Sequence, residues 1–293
     1  MTELRKYQRL IGALLALLAI AWCVLAFLQS GIPDPPKVTV RENAPVGSLT
    51  VETIARSMDT QLSGFGGWLP NDLWFSPGWF LDNLPSFQLG VLQTARHASR
   101  VLRDNLSRLR TSDAVHREAD AAYSAFANDP SRWAFPSAEG AFGRGVDSLR
   151  RFEKELGTTA NFYPRADNLV QLLEPLVSEL GAVNTVLLEA SKSGKVPWRR
   201  IDDNFYYAQG VGWGVLGLMQ AVKVDFARVL EDKNTVEIMD LIIASLQESQ
   251  FDPLIVTNGS KGGILANHSS NLKAYLDDAR QKMGSLITML KQG

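Results

Sequence analysis

Side-chain combinations that could perform chemistry are rare in this sequence of 293 residues. The clearest nucleophile motif is Ser270 with Lys273, whose S-x-x-K spacing is that of penicillin-recognising enzymes. No G-x-S-x-G motif and no ordered K-T-G motif follows it, so the match has no second element. A serine at the start of a predicted helix is more simply a helix cap. We therefore expect Ser269 or Ser270 to cap this helix, and we predict no catalytic residue.

Candidate ligands for metal and redox chemistry are also few. A single cysteine, Cys23, excludes a disulfide framework and a zinc site built from thiolates. The three histidines lack the H-E-x-x-H spacing of a helical zinc site; they are His97, His116 and His268. Thirty basic and 31 acidic residues give a formal charge of −1, which provides no field to attract nucleic acid. We expect no metal, no cofactor and no nucleic-acid partner.

The segment from Gly64 to Phe87 has the most unusual composition, because seven aromatic residues lie among glycine, proline and asparagine. Their spacing does not follow one helical face. The rings either form a buried loop that caps the core, or they are presented to a sugar, a lipid interface or a protein. In the second case an aspartate, Asp72 or Asp82, would work beside the rings. The candidate binding residues are Trp68, Asp72, Trp74, Phe75, Trp79 and Phe80.

A stripe of glycines marks one predicted helix in the second half of the chain. Gly210, Gly214 and Gly217 recur at steps of four and three, which places them on one helical face. Each glycine inside a helix costs about 0.5 to 1 kcal/mol relative to alanine. A helix that tolerates several of them needs a neighbour that uses the space. That neighbour is another helix of the same domain, a ligand or a second subunit.

The positioning of all these residues begins with a membrane segment. Residues 10–28 contain no charge and would span roughly 28 Å as a helix, which matches a hydrocarbon core of ~30 Å. Three basic residues precede this segment, so residues 1–9 are predicted to stay in the cytoplasm. A cleaved signal peptide is the alternative, but the apolar stretch is longer than usual for one and no small-x-small site ends it.

Small residues line one face of this predicted membrane helix, and they are Gly12, Ala16, Ala19 and Cys23. A seam of this kind lets a second helix approach closely, which would give a homo-oligomer paired within the membrane. The alternative is that alanine is simply common in such segments.

The remaining chain is predicted to be all-α. Residues 29–50 contain four prolines and resemble an extended tether, and residues 51–293 form a helical domain outside the membrane. Apolar residues recur with helical period in about seven or eight stretches, and strand signals are too short to build a sheet. The clearest seam consists of Leu169, Leu173, Leu176, Leu180, Val183, Leu187 and Ala190.

Two sequence motifs add a family resemblance. The segment W-L-P-N-D-L-W-F at residues 68–75 and the segment F-Y-P-R-A-D-N-L at residues 162–169 accompany a basic N-terminus and a single anchor. This combination resembles a bacterial family of single-pass inner-membrane proteins known only as a domain of unknown function. The resemblance covers nearly the whole chain. It implies an envelope location in Gram-negative bacteria and supplies no catalytic residues.

These features favour a membrane-anchored helical scaffold or adaptor in the periplasm. It would bind another component of the cell envelope, expected to be a protein, and would perform no chemistry of its own. The alternative is a binder or hydrolase of cell-wall glycan, which would use the tryptophan-rich segment as a platform for sugar rings.

Overall fold

The computed structural model describes residues 2–41, 43–73, 76, 83–190, 197–251, 253, 256–259 and 266–292. Ten α-helices and no strands lie within these residues. The helices are α1 (Thr2–Gln29), α2 (Ser48–Ser63), α3 (Asn83–Val101), α4 (Arg117–Phe126), α5 (Ala138–Glu155), α6 (Ala166–Ala190), α7 (Trp198–Asp225), α8 (Ala227–Asp232), α9 (Val236–Glu248) and α10 (His268–Lys291). A 3-10 turn covers Leu69–Asn71, and a π-helical turn covers Leu102–Leu106. The all-α prediction is confirmed.

The helical periodicity of the sequence located the long helices, because their apolar faces are buried as the pattern requires. The whole predicted seam of α6 is buried, and α6 runs without interruption through Pro175. The six-residue α8 adds one helix to the predicted set. One local prediction is wrong: α10 is capped by Asn267, whose side-chain oxygen accepts from the backbone N–H of Ser270 at 2.9 Å. Neither Ser269 nor Ser270 is the cap.

The helices beyond α1 form two groups that share one continuous hydrophobic core. Helices α2 to α5 pack against one another, with the rings of Phe126 on α4 and Phe142 on α5 6.4 Å apart. Helices α6, α7, α9 and α10 form the other group. The two groups meet mainly where α3 crosses α7 and, at a second contact, where α2 lies beside α7. Helix α7 is therefore the central element of the fold.

Helix α1 stands apart from this core. Its segment from Tyr7 to Gln29 is long and apolar enough to cross a membrane, and its most apolar window is entirely unburied. Length and composition of this kind fit both a membrane anchor and a signal sequence. It is the one such helix in the described part of the chain.

Residues 30–41, called the strap below, follow α1 without regular secondary structure. The strap lies along the domain: Ile32 packs on the core, and the carbonyl of Asp34 accepts a hydrogen bond from the indole of Trp213. Helix α2 then begins at Ser48, within the stretch that the sequence assigned to a tether. The strap thus runs antiparallel to α2 across the face that α2 and α7 form together.

Candidate functional site

The strap covers a groove between α2 and α7, and the groove encloses a cavity of about 270 Å³. Prolines of the strap form its roof, and Thr53, Ser57 and Thr60 of α2 form one wall. The opposite wall and the floor come from α7, through the ring of Trp213 and the bare backbone at Gly214 and Gly217. A concave site with mostly apolar walls is the usual geometry for binding a small or extended apolar group.

The depth of the groove depends on the glycines of α7. A Cβ atom added to Gly217 would lie 3.2 Å from the ring of Pro36 and 3.3 Å from the Thr53 methyl carbon, Cγ2. A second, smaller depression continues from the groove toward Thr94 and Ala98 on α3, past Ser57 and Gly214. Side chains larger than glycine on this face of α7 would fill the space, so the glycines keep the groove open.

Hydrogen bonds hold the strap region at both ends. Near its start, the indole N–H of Trp213 donates to the Asp34 carbonyl at 2.9 Å. Beyond its end, the carboxylate of Asp225 accepts from the backbone N–H of Gly47 at 2.8 Å, and from the backbone N–H and hydroxyl of Thr50 at 2.7 and 2.6 Å. The last residue of α7 therefore caps the first turn of α2.

The buried carboxylate of Asp225 has an altered acidity. Burial raises its pKa, and the hydrogen bonds from Thr50 and Gly47 offset only part of that increase because they favour the charged form. The cap on α2 is consequently a group whose protonation is linked to folding.

Charged side chains line the outer rim of the groove. Arg41 pairs with Glu52 at 2.8 Å and also with Glu153, which ties the end of the strap to α2 and α5. The hydrogen bond that Arg41 donates to Glu153 is the main reason that the pKa of Arg41 is raised. Glu52 also pairs with Arg56 one turn further along α2. The arrangement combines apolar walls with a rim of both charges, which suits binding of a group with an apolar body and a polar edge.

The tryptophan-rich segment is partly core. Trp68 is fully buried, its ring lies edge-on to Phe142 at 5.0 Å, and its indole N–H donates to the Pro130 carbonyl at 2.8 Å. The buried Gln88 fixes the same loop by accepting from the backbone N–H of Leu69 and donating to the Gly67 carbonyl. The Trp68 ring is therefore not accessible to a sugar ring.

The other residues of that segment have different positions. Asp72 is half-buried and accepts a hydrogen bond from the Ser76 hydroxyl at 2.7 Å. Trp74, Phe75, Trp79, Phe80 and Asp82 lie outside the described residues. A glycan platform in this segment would therefore have to use aromatic rings other than that of Trp68.

The small residues predicted to pack against helices have two kinds of surroundings. On α1, Gly12, Ala16, Ala19 and Cys23 are exposed, and no atom lies within 4 Å of a Cβ added to Gly12. On α7, Gly210 faces the backbone of α3, Gly214 faces Thr94 of α3, and Gly217 faces the strap and α2. Pairing of α1 with a second copy remains a prediction.

A second polar cluster lies between α3, α6 and α7. Glu179 accepts from the Tyr207 hydroxyl at 2.9 Å and from Gln93 at 3.3 Å, and the His97 ring nitrogen Nε2 lies 3.4 Å from it. Burial acts to raise the pKa of Glu179, but the bonds from His97, Tyr207 and Gln93 together lower it. Burial and the neighbouring Glu179 raise the pKa of Tyr207. This cluster satisfies polar groups inside the bundle and joins its two halves.

Metal ligation has no site in the described ranges, where no three histidine, cysteine, aspartate or glutamate side chains group together. Sequence reasoning missed the roles of Trp213 and Pro36, which line the groove, and of Asp225, which caps α2. A signal was present for Asp225, because an acidic residue at the end of a helix opposes the helix dipole and needs a compensating partner.

Comparison with known proteins identifies the family. A model of a bacterial family, described as "Uncharacterized protein conserved in bacteria (DUF2333)", matches residues 4–194 and 188–293. Searches of curated proteins and of solved structures found no match. The resemblance inferred from the two sequence motifs, to a bacterial family of unknown function, is confirmed. Because the two matches together cover almost the entire chain, the protein belongs to this uncharacterised bacterial family.

Proposed function

We propose that the protein is a helical adaptor of the bacterial cell envelope, anchored in the inner membrane by α1. In this proposal the N-terminus lies in the cytoplasm and the helical domain lies in the periplasm, where it binds another envelope component without chemistry of its own. The family is bacterial, and α1 has the length, composition and exposure of a membrane anchor. Basic residues at its N-terminal side favour this orientation.

The groove under the strap is the observation that carries the proposal. It lies on the segment that joins the apolar helix to the domain, so a group bound there would contact the strap as well as α2 and α7. Its prolines reduce the conformational freedom that binding would otherwise have to remove. A partner that presents an apolar side chain or tail with a polar edge fits this site.

The orientation is tested with a reporter enzyme fused to the C-terminus of the full chain. Alkaline phosphatase folds into its active form only outside the cytoplasm, so this fusion should be active. A fluorescent protein that becomes fluorescent only in the cytoplasm should give no signal. The reverse result would place the helical domain inside the cell and would contradict the proposal.

Binding in the groove is tested by filling it. Ser57 lines the groove from α2, and its hydroxyl donates to the Ile54 carbonyl of its own helix. Ser57→Phe is introduced into the full chain, which is purified from native membranes. We expect recovery of the bound partner to fall by about tenfold, which corresponds to a loss of about 1.4 kcal/mol of binding free energy. The matched control is Ser285→Phe on α10, whose exposed hydroxyl bonds to its own helix in the same way.

Both variants should keep the helical circular dichroism of the wild type. Loss of the same partner from both variants, or from neither, would show that the groove is not the binding site.

A further inference from the structure

The end of α1 marks one end of the helical domain. Gln29 is the last residue of α1, and a Cβ added to Gly66, in the loop that follows α2, would lie 2.9 Å from the Gln29 side chain. From there the strap runs back along α2 toward Ser48, with Asp34 at Trp213 and Pro36 at Gly217 and Thr53 on the way. The apolar helix therefore leaves the domain where α2 ends, and not where α2 begins.

Two loops at this end are joined to each other. The loop after α2 contains Trp68 and Asn71, and the loop between α4 and α5 contains Pro130 and Arg132. The Trp68 indole donates to the Pro130 carbonyl at 2.8 Å, and the Asn71 amide donates to the Arg132 carbonyl at 3.1 Å. These bonds fix the α4–α5 loop beside the loop that contacts the end of α1.

Both loops expose large aromatic side chains. Phe135 is 92% exposed, Trp133 is 65% exposed and Phe65 is 58% exposed. Among the aromatic side chains that the structure describes beyond α1, the next most exposed is Tyr275, at 37%. The exposed rings are thus concentrated where the apolar helix joins the domain.

One of these exposed aromatic residues, Phe135, has an unusual backbone conformation. Phe135 has φ of 48°, a left-handed conformation that an aromatic residue rarely adopts, and Arg132 donates to its carbonyl at 3.0 Å. Such a conformation persists where the surrounding structure requires it. At this position the phenylalanine side chain points into solvent.

We propose that this end of the domain rests on the lipid bilayer, with Phe65, Trp133 and Phe135 inserted at the level of the lipid headgroups. The inference rests on the proposed function, because it requires α1 to cross the membrane. Aromatic rings favour the boundary between water and hydrocarbon, where an apolar ring and a polar tip are both satisfied. An apolar surface next to the point where a membrane helix emerges faces that boundary directly. The adaptor then lies against the membrane at a fixed height.

The test measures the depth of spin labels on the full chain in vesicles of phosphatidylethanolamine and phosphatidylglycerol. Labels at Phe135→Cys and Trp133→Cys, each in a Cys23→Ala background, report the proposed contact. A label at Thr158→Cys is the control, because Thr158 is exposed just beyond the opposite end of α5. A label on the native Cys23 reports α1 itself.

We expect the ratio of collisions with oxygen to collisions with an aqueous nickel reagent to be several-fold higher at positions 133 and 135 than at position 158. The label on Cys23 should show the deepest position. Substitution of such exposed side chains should leave the helical circular dichroism unchanged.

Three results would overturn the inference. If positions 133 and 135 are as aqueous as position 158 while Cys23 is deep, the membrane contact is wrong and the anchor stands. If the labels are shielded from both reagents only in native membranes, a protein covers this surface instead of lipid. An aqueous label at Cys23 would contradict the proposed function itself, and the inference with it.

Discussion

Helix α7 places Gly210 and Gly217 against two different neighbours, and the two contacts have different consequences. Gly210 faces α3, where an added Cβ would lie 2.1 Å from the Phe87 carbonyl oxygen. Gly90 on α3 reciprocates, since its Cβ would lie 2.2 Å from the Tyr207 carbonyl oxygen. The two helix backbones touch at this crossing. Glycine is needed there because neither backbone can move aside.

Two turns further along the same side of α7, glycine leaves space instead. At Gly217 the nearest atoms belong to Pro36 and to the side chain of Thr53, at 3.2 and 3.3 Å. The neighbour is an irregular strap. Trp213 donates a hydrogen bond to Asp34 in the strap, and Asp225 binds Gly47 beyond its end. The glycines of one stripe can therefore have different effects. Whether a glycine brings helices together or keeps a groove open depends on the rigidity of the neighbour.

The largest expected effect is at the crossing of α3 and α7. Gly210→Ala should lower the free energy of unfolding by about 3 kcal/mol, because overpacking against a backbone can be relieved only by moving a helix. Urea denaturation of the full chain in detergent micelles, followed by circular dichroism, measures this change. Gly143→Ala on α5 is the control, since no atom of the described residues lies within 4 Å of its added Cβ.

The control should stabilise the protein by about 0.5 to 1 kcal/mol, which is the helix preference of alanine over glycine. Equal stabilities of Gly210→Ala and the wild type would show that α3 and α7 do not meet backbone to backbone.

The next effect concerns the cap on α2. Asp225→Asn should cost about 1.5 kcal/mol at neutral pH, because the amide presents an N–H group where the carboxylate accepts from Gly47 or Thr50. Asparagine is similar in size and is itself a good helix cap. Denaturation of both proteins over a range of pH measures the difference.

The pH dependence of this difference has a defined sign. Burial raises the folded pKa of Asp225 above the ordinary value of 3.8, so the folded state takes up the proton at higher pH than the unfolded chain does. The contribution of this group to stability is complete below pH 3.8 and decreases as pH rises through the folded pKa. The advantage of the wild type over Asp225→Asn should therefore grow on acidification. An advantage that shrinks in acid would contradict the buried position of Asp225.

Local pattern was sufficient to predict the helical framework. The seam from Leu169 to Ala190 identified α6, because a period of 3.6 residues must bury one face. The six-residue α8 was missed because it is too short to establish a period. Gly210, Gly214 and Gly217 of α7 were predicted to share one face, but the sequence could not tell which neighbour each of them meets.

The groove could not be predicted for a related reason. Prolines predict an irregular, extended segment, yet the attachment of the strap depends on Trp213, which lies 179 positions from Asp34 in the chain. Composition describes the strap and carries no information about such a distant pair. Similarly, the burial of Trp68 depends on Phe142 and Pro130, which belong to other elements.

A smaller effect is expected where the strap is attached to α7. Trp213→Phe keeps an aromatic ring opposite Phe87 but removes the hydrogen bond to Asp34, at a cost of about 1 kcal/mol. The strap should open more often, so trypsin should cleave after Lys37 faster than in the wild type. The matched control is Trp133→Phe, because Trp133 is largely exposed and lies on another loop. Equal cleavage of Trp213→Phe and the wild type would mean that this bond does not hold the strap.

The smallest expected change in the free energy of unfolding is for a substitution where α7 borders the groove. Gly217→Ala places a methyl group against Pro36 and Thr53, and the strap can yield by the few tenths of an ångström required. Alanine also favours the helix by about 0.5 to 1 kcal/mol, which offsets the crowding. The free energy of unfolding should stay within about 0.5 kcal/mol of the wild type, in the same denaturation experiment as Gly210→Ala. If both variants lose the same stability, the strap is as rigid as α3, and the two neighbours of α7 do not differ in the way argued.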